Sequence, residues 1–173
     1  MTGALALRLA ALEAEGRIRA VMARYMELCD RLDQDTPMDE MAALFTEGAT
    51  WAGRGARYGA AFGERRGRAA ILAMLDSYRA PAPHFAFNAH FLASEAITVD
   101  GAAASGGWMM LQLSTYADGR SDLRTARLRV GFALDGGAWR IDRFETEALS
   151  SRPVDRWDDP APPPVPRPPS QGA

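Results

Sequence analysis

Four consecutive β-strands are predicted in residues 85–149, whose sequence is FAFNAHFLASEAITVDGAAASGGWMMLQLSTYADGRSDLRTARLRVGFALDGGAWRIDRFETEAL. Apolar and polar residues alternate in it with a period of two, the period of a strand with one buried face. Three turn sequences divide it, Asp100-Gly101, Asp118-Gly119 and Asp135-Gly136-Gly137, and Asp-Gly pairs favour tight hairpins. The predicted strands are Phe85–Val99, Ser105–Ala117, Leu123–Leu134 and Ala138–Leu149. Strands joined in this way form an antiparallel meander.

Helical periodicity precedes the meander. Residues 4–33 are predicted to form a helix that is interrupted or bent near Gly16. In its second half apolar residues recur at alternating spacings of four and three, at Ile18, Met22, Tyr25, Cys29 and Leu32. These spacings place the five side chains on one face, which we expect to be buried.

The segment between the long helix and the meander is predicted to contain short elements. They are a helix over Pro37–Phe45, strands over Ala49–Ala52 and Ala56–Ala60, and a helix over Gly67–Tyr78 that ends before Pro81. Helices followed by an antiparallel sheet indicate an α+β fold.

Length and composition exclude several classes of protein. The 173 residues suffice for one domain, and a net charge of −2 gives no reason to expect a nucleic-acid partner. The chain contains no lysine, which excludes a Schiff-base lysine and the lysine of a phosphate-binding loop. The single cysteine, Cys29, cannot form an internal disulfide and is expected to be a small buried side chain.

The C-terminal residues are rich in proline, and the N-terminal residues lack the pattern of a membrane span. Eight of the eleven prolines lie at or after Pro153, so we predict a domain over residues 1–157 and an extended or disordered tail over 158–173. No basic segment leads into a long apolar run, and no window reaches the roughly 18 apolar residues of a membrane span. We therefore expect a cytoplasmic protein without a membrane partner.

The candidates for proton transfer near neutral pH are the two histidines, His84 and His90. Strand alternation places them on one face of the sheet with Asn88 and Leu92. His90 lies well inside a strand, where a histidine is either a hydrogen-bonded structural residue or a general base. His84 lies in a proline-rich entry, which favours a capping or surface role.

Asp30 and Asp33 are the candidate acids on the long helix. With the apolar face centred on Ile18, Asp33 lies about 60° from its middle and Asp30 about 120° away. Periodicity alone therefore favours Asp33 as the inward carboxylate. The alternative is that both acids solvate the helix end beside Arg31.

No cofactor or metal is predicted. Two histidines six residues apart do not provide the spacing or ligand number of a zinc site, and the glycine-rich turns lack the context of a phosphate-binding loop. Several large side chains either line a cavity or fill a core. The candidate pocket residues are Trp51, Tyr58, Met74, Trp108, Met110 and Phe144.

Over about Glu13–Pro153 the sequence resembles the SnoaL-like branch of the nuclear-transport-factor-2-like superfamily. The resemblance rests on the order and spacing of several short pieces rather than on one motif. These pieces are Ile18–Tyr25, Cys29–Asp33, Leu44–Trp51, Gly67–Ile71, His90 with Ile97–Gly101, and Trp139–Ile141.

The resemblance implies a cone-shaped fold in which a curved antiparallel sheet wraps the N-terminal helices around an apolar pocket. In dehydratase and dehydrochlorinase members an Asp on the first long helix orients a His on the sheet, often with a Tyr nearby. The matching positions are Asp30, His90 and Tyr25. The resemblance thus replaces Asp33 by Asp30 as the expected partner of His90. The second histidine of scytalone dehydratase has no equivalent in residues 112–116.

The function implied is that of a lyase or isomerase, without a cofactor, that acts on a hydrophobic cyclic molecule by His-Asp acid-base chemistry. One alternative is a non-catalytic module that binds a small molecule or supports assembly. Another is the small subunit of a ring-hydroxylating oxygenase, which shares the fold. We expect a homodimer or homotrimer, because an apolar outer sheet face would be buried by pairing.

Overall fold

A computed structural model describes residues 2–79 and 81–155. Four helices and six strands follow one another along the chain. They are α1 (Thr2–Arg31), α2 (Met38–Ala43), β1 (Phe45–Arg54), α3 (Gly55–Phe62), β2 (Glu64–Arg66), α4 (Arg68–Asp76), β3 (Phe85–Asp100), β4 (Ala103–Tyr116), β5 (Ser121–Asp135) and β6 (Ala138–Val154). The predicted tail over 158–173 lies outside the described residues.

All six strands belong to one sheet with the order β2-β1-β6-β5-β4-β3. The meander β3 to β6 is antiparallel throughout, as the hairpin turns predicted. β1 extends the sheet beside β6 and runs parallel to it, a pairing the sequence pattern did not predict. Tight turns force antiparallel pairing only between consecutive strands, and β1 reaches β6 through a long connection instead.

The sheet is curved and unclosed, and its concave face packs on α1. Register shifts interrupt β3 between Ala93 and Ala96 and β5 between Thr125 and Ala126. Within the first of these irregularities Ser94 has a positive φ of 52°. Such irregularities bend a strand and increase its local twist, which curves the sheet around the helix.

The core lies between α1 and the concave face of the sheet. The five apolar residues at helical spacing are all buried, as predicted, although Leu32 lies just after the end of α1 rather than on it. α4 contributes Ile71 and Leu75, and Met74 and Tyr78 pack against the core from its edge. The sheet contributes the inward side chains Trp108, Met110, Leu128, Val130, Phe132, Trp139, Ile141 and Phe144.

Two predicted elements differ from the structure. α1 continues through Gly16 without interruption, and residues 56–60 form helix α3 rather than a strand. Gly55 has φ +68°, and a Cβ on Gly53 would lie 2.1 Å from the carbonyl oxygen of Tyr58. Two glycines therefore let the chain reverse sharply and lay a helix against β1, where β-pairing would need an extended chain.

Among the described residues, no helix combines the length and hydropathy that a bilayer crossing requires.

Candidate active site

Asp30 and His90 form a close pair between the end of α1 and the middle of β3. Oδ1 of Asp30 accepts the backbone N–H of His90 at 2.9 Å and lies 2.6 Å from the ring atom Nδ1. An ionised carboxylate can only accept hydrogen bonds, so the proton of a neutral His90 ring resides on Nδ1. The lone pair of the imidazole is then on Nε2.

The pair is partly screened from solvent. The side chain of His90 is 11% exposed and that of Asp30 is 29% exposed. His90 lines both a partly open apolar cavity and a neighbouring groove, whereas Asp30 lines only the groove. The ring therefore separates the cavity from the carboxylate that orients it.

The end of α1 is fastened to β3 by a second contact. Nδ2 of Asn88 donates a hydrogen bond to the backbone carbonyl of Cys29 at 3.2 Å. That carbonyl belongs to the last turn of the helix, where no intrahelical donor is available. Asn88 and Asp30 together hold the helix end against the strand that carries His90.

Asp33, which periodicity favoured as the inward acid, does not contact His90. α1 ends at Arg31 and Leu32 has a positive φ, so Asp33 no longer follows the helical register. Its Oδ1 accepts hydrogen bonds from the Thr36 hydroxyl and from the Asp35 backbone N–H. Asp33 thus closes the turn that follows the helix.

Tyr25 is buried beneath the cavity and its hydroxyl accepts the Trp51 indole N–H at 3.1 Å. The indole nitrogen can only donate, so the phenolic hydrogen is directed to another group, and the Cys29 side chain is one such partner. Burial raises the pKa of Tyr25 well above its ordinary value. The phenol is therefore protonated at neutral pH and can act as a hydrogen-bond donor.

The cavity has a volume of about 380 Å³ and is lined mainly by apolar side chains. Most of the predicted pocket residues line it. These are Trp51, Tyr58, Met74, Met110 and Phe144, and the catalytic candidates Tyr25 and His90 line the cavity as well. The rings of Trp51 and Phe144 are stacked at a centroid distance of 5.7 Å and form one wall.

Trp108 is the predicted pocket residue that lies elsewhere. Its ring is buried beside the neighbouring groove, and its N–H donates to Oε2 of Glu95 at 3.2 Å. The irregular segment of β3 between Ala93 and Ala96 lies opposite Trp108 in the register of β4. This bend separates Trp108 from Met110, although both lie on the inward face of the same strand.

A buried polar cluster at the cavity was not identified from the sequence as a site. Oδ1 of Asn88 accepts hydrogen bonds from Nε2 of Gln112 at 2.9 Å and from the Ser114 hydroxyl at 2.8 Å. Nε2 of Gln112 also donates to Ser114 at 3.1 Å, which uses both amide hydrogens and leaves its carbonyl oxygen as an acceptor. The sequence signal for this cluster was the presence of two polar residues, Gln112 and Ser114, at successive inward positions of β4.

His84 lines the cavity at its outer end and packs among aromatic rings. Its ring lies 4.7 Å from that of Phe85 and 5.2 Å from that of Tyr116. It is exposed and far less enclosed than His90.

Cys29 is buried and lines the cavity. Burial raises the pKa of the Cys29 thiol to about 12, so the thiolate is not populated near neutral pH. Within residues 2–79 and 81–155 no three His, Cys, Asp or Glu side chains are grouped as a metal ion would require.

A curved sheet that closes an apolar cavity against an N-terminal helix defines the nuclear-transport-factor-2-like class of α+β proteins, to which this fold belongs. Residues 10–145 match the model of the SnoaL-like domain, and the chain is a member of that family. The resemblance seen in the sequence is therefore confirmed. No functionally curated protein matches the sequence at a significant level.

Three solved structures illustrate the relationship. An NTF2-like protein with a cystatin-like fold from Novosphingobium aromaticivorans is 30% identical, with 84% of this chain and 88% of that chain covered and a TM-score of 0.67. A protein of that species provisionally described as an aromatic ring hydroxylase is 20% identical, with 83% and 94% covered and a TM-score of 0.70. A type 2 hexachlorocyclohexane dehydrochlorinase is 16% identical, with 89% and 97% covered and a TM-score of 0.70.

Proposed function

We propose that this protein is a cofactor-independent lyase or isomerase that acts on a hydrophobic cyclic small molecule, with His90 as general base. The observation that carries the proposal is the 2.6 Å contact between Asp30 Oδ1 and Nδ1 of a ring that lines an apolar cavity. A base held by a carboxylate on one nitrogen presents its other nitrogen in a defined orientation.

The reaction begins with transfer of a proton from a carbon beside a carbonyl group to Nε2 of His90. The C–H electron pair forms an enolate, and the negative charge of Asp30 stabilises the imidazolium that results. The hydroxyl hydrogen of Tyr25 can stabilise negative charge that develops on a substrate oxygen.

Two outcomes follow from the same enolate. In a dehydratase the enolate electrons form a carbon–carbon double bond as a β-hydroxyl leaves, and that hydroxyl departs as water with the proton that His90 returns directly or through Tyr25. In an isomerase the proton returns to a different carbon of the same molecule. Neither outcome consumes an oxidant or a reductant.

The cavity favours a small apolar substrate. Its volume of about 380 Å³ lies at the lower end of the ~300–1,000 Å³ typical of small-molecule sites. The stacked Trp51 and Phe144 rings offer a flat surface of the kind on which a ring system packs.

The structural relatives are consistent with elimination chemistry without determining it. One of them is a dehydrochlorinase by name, and another is provisionally described as a hydroxylase. One fold supports different reactions, so the arrangement of Asp30, His90 and Tyr25 carries the proposal rather than the fold.

The proposal is tested by proton exchange in D₂O. The wild-type protein is incubated with a panel of cyclic ketones that includes a β-hydroxy-tetralone and a decalone, and ¹H NMR records the loss of α-hydrogens and the appearance of alkene signals. We expect His90→Gln to reduce the rate by about 10²-fold or more. Circular dichroism confirms that the variant is folded.

His84→Gln is the matched control, because His84 lines the same cavity without a carboxylate partner among the described residues. It should retain most of the wild-type rate. A His90→Gln variant that exchanges the α-hydrogens as fast as wild type would contradict the proposal. Ketones that bind by chemical-shift perturbation but never exchange would instead support a non-catalytic binding module.

We also propose that the chain forms a homodimer or homotrimer through the convex face of β3 and β4. Phe87, Phe91 and Met109 point away from the core on this face and are 45%, 53% and 37% exposed. Several exposed large apolar side chains on one face of a sheet are typical of an interface. Light scattering should show an oligomer that Phe91→Glu converts to a monomer; a monomeric wild-type protein contradicts this proposal.

A further inference from the structure

We propose that Arg124 binds an anionic group of the substrate, so that the substrate is a hydrophobic ring system with a carboxylate or a similar anion at the end away from the reacting carbon. The inference rests on the proposed function of the cavity. Among the described residues that line the cavity, Arg124 alone carries a permanent charge. A guanidinium on the wall of an apolar cavity is a strong determinant of which molecules enter it.

The register of the sheet places Arg124 in line with the proposed base. His90 on β3 pairs with Gln112 on β4, and Gln112 pairs with Arg124 on β5. Residues directly opposite each other on neighbouring strands lie on the same face, so the three side chains form a row across the concave surface. Strands are about 4.8 Å apart, which places the backbone positions of His90 and Arg124 roughly 10 Å from each other.

The guanidinium is held in a defined position. Nε and Nη2 of Arg124 donate to Oδ2 of Asp122 at 3.0 and 2.7 Å, and the Tyr116 hydroxyl donates to the same oxygen at 2.9 Å. The guanidinium carbon also lies 5.5 Å from the centre of the Tyr116 ring. These contacts orient the side chain and use one N–H each of Nε and Nη2, and the guanidinium also makes a side-chain hydrogen bond with Tyr58. Two of its five N–H groups then remain for another acceptor.

Two phenols belong to the same end of the cavity as Arg124. Tyr58 and Tyr78 line the cavity, and burial raises the pKa of both hydroxyls while the positive charge of Arg124 acts in the opposite direction. Both are therefore neutral donors at pH 7. An anion at this end would meet two hydroxyl groups and a guanidinium that is already paired with Asp122, whereas the stacked rings of Trp51 and Phe144 line the wall beside Tyr25.

The competing interpretation is that Arg124 only completes an ion pair with Asp122 on the sheet. The two interpretations differ in what the cavity prefers to bind. A purely structural ion pair leaves the cavity indifferent to the charge of a ligand, whereas an anion-binding guanidinium makes it discriminate between molecules that differ only in charge.

Two fluorescent probes with the same ring system provide the test. They are 8-anilinonaphthalene-1-sulfonate, an anion, and N-phenyl-1-naphthylamine, which lacks the sulfonate and is neutral. The ratio of their Kd values is measured by fluorescence titration. We expect the wild-type protein to prefer the anion and Arg124→Gln to reduce that preference at least 10-fold, with the Kd of the neutral probe changed less than twofold.

Arg120→Gln is the matched control. Arg120 lies 5.6 Å from the same Tyr116 ring, but its side chain is 78% exposed and pairs with Asp118. This substitution should leave the preference unchanged. Arg124→Lys keeps the charge and should retain part of the preference, and it replaces Arg124→Gln if that variant does not fold.

Several outcomes would overturn the inference. One is an equal preference for the anion in wild type and in Arg124→Gln. Another is binding of the anion that survives Met110→Trp, because that substitution fills the cavity.

The result is independent of catalysis: if Arg124→Gln does not change the preference while exchange still requires His90, this inference fails and the proposed function stands. If the preference requires Arg124 but no ketone exchanges its α-hydrogens, this inference stands and the proposed function fails.

Discussion

One oxygen of Asp30 contacts His90 twice, through the backbone N–H at 2.9 Å and at the ring nitrogen Nδ1 at 2.6 Å. The same atom therefore fixes both the position of β3 beside the end of α1 and the orientation of the imidazole. The structural role of this carboxylate and its proposed chemical role therefore belong to one atom, and substitutions can separate them.

Asp30→Asn separates the two roles, because the amide oxygen can still accept both hydrogen bonds but carries no negative charge. We expect the free energy of unfolding to change by about 1 kcal/mol or less. The rate of α-hydrogen exchange should fall about 10²–10⁴-fold, since the imidazolium loses its counter-charge. Urea denaturation and the NMR exchange assay measure the two quantities, and an unaltered exchange rate would contradict the role assigned to Asp30.

Tyr25→Phe removes the acceptor of the Trp51 indole N–H in the core. An unsatisfied buried donor costs about 1–3 kcal/mol, and we expect this loss in the free energy of unfolding. The rate of α-hydrogen exchange should fall as well, because the variant lacks the phenolic hydrogen that is proposed to stabilise the enolate. The control is the double variant Tyr25→Phe, Trp51→Phe, in which the stranded donor is also gone. Trp51→Phe should then lower the free energy of unfolding less in the Tyr25→Phe background than in the wild-type protein. Equal losses in the two backgrounds would show that the two side chains do not stabilise each other.

Glu145 is the buried acid whose ionisation should stabilise the fold. Burial alone would raise its pKa, but hydrogen bonds from Arg54 and Arg143, each at 2.7 Å, outweigh burial and lower it. A depressed folded-state pKa means that the stabilisation is fully present above the unfolded pKa of about 4.3 and is lost as the pH falls through the folded value.

We therefore expect Glu145→Gln to lower the free energy of unfolding by about 1–3 kcal/mol at pH 7, and the difference from wild type to shrink below about pH 4. Glu147→Gln is the control, because Glu147 pairs with Arg127 and Arg129 only at 3.6 and 3.4 Å and is more exposed. Denaturation curves at several pH values measure the effect. A pH-independent difference would show that the charge of Glu145 does not stabilise the fold.

Cys29 should be unreactive in the native protein. Its thiol is buried and its pKa is raised to about 12, so little thiolate exists at pH 8. We expect the aromatic disulfide reagent 5,5′-dithiobis(2-nitrobenzoate) to label the unfolded chain rapidly and the native protein many times more slowly. Absorbance at 412 nm records both rates. Rapid labelling of the native protein would indicate that the end of α1 opens readily.

Much of the fold was predictable because it depends on local patterns. The Asp-Gly turns after Val99 and Leu134 define hairpins whatever surrounds them, and the apolar side chains of α1 can be buried together only as a helix face. Residues 56–60 were not predictable in this way. Their helix begins at Gly55, whose φ of +68° turns the chain back onto β1 beside Gly53, and hydrophobic periodicity carries no signal for that turn.

The candidate site was predictable only through the family resemblance. Helical periodicity favoured Asp33 as the inward carboxylate. That prediction was wrong because α1 ends at Arg31, so Asp33 lies outside the helix. Trp108 illustrates the same limit on β4, where the irregular segment of β3 diverts one inward side chain from the cavity that Met110 lines.

The sequence by itself determined the long N-terminal helix and the four-stranded meander, because hydrophobic period and turn chemistry act over a few residues. Only the tertiary structure decided that Asp30 meets His90 across 60 positions of chain and that His90, Gln112 and Arg124 form one row. Those relationships depend on where a helix ends and on the register between strands. Both are set by packing across the whole domain rather than by any local run of residues.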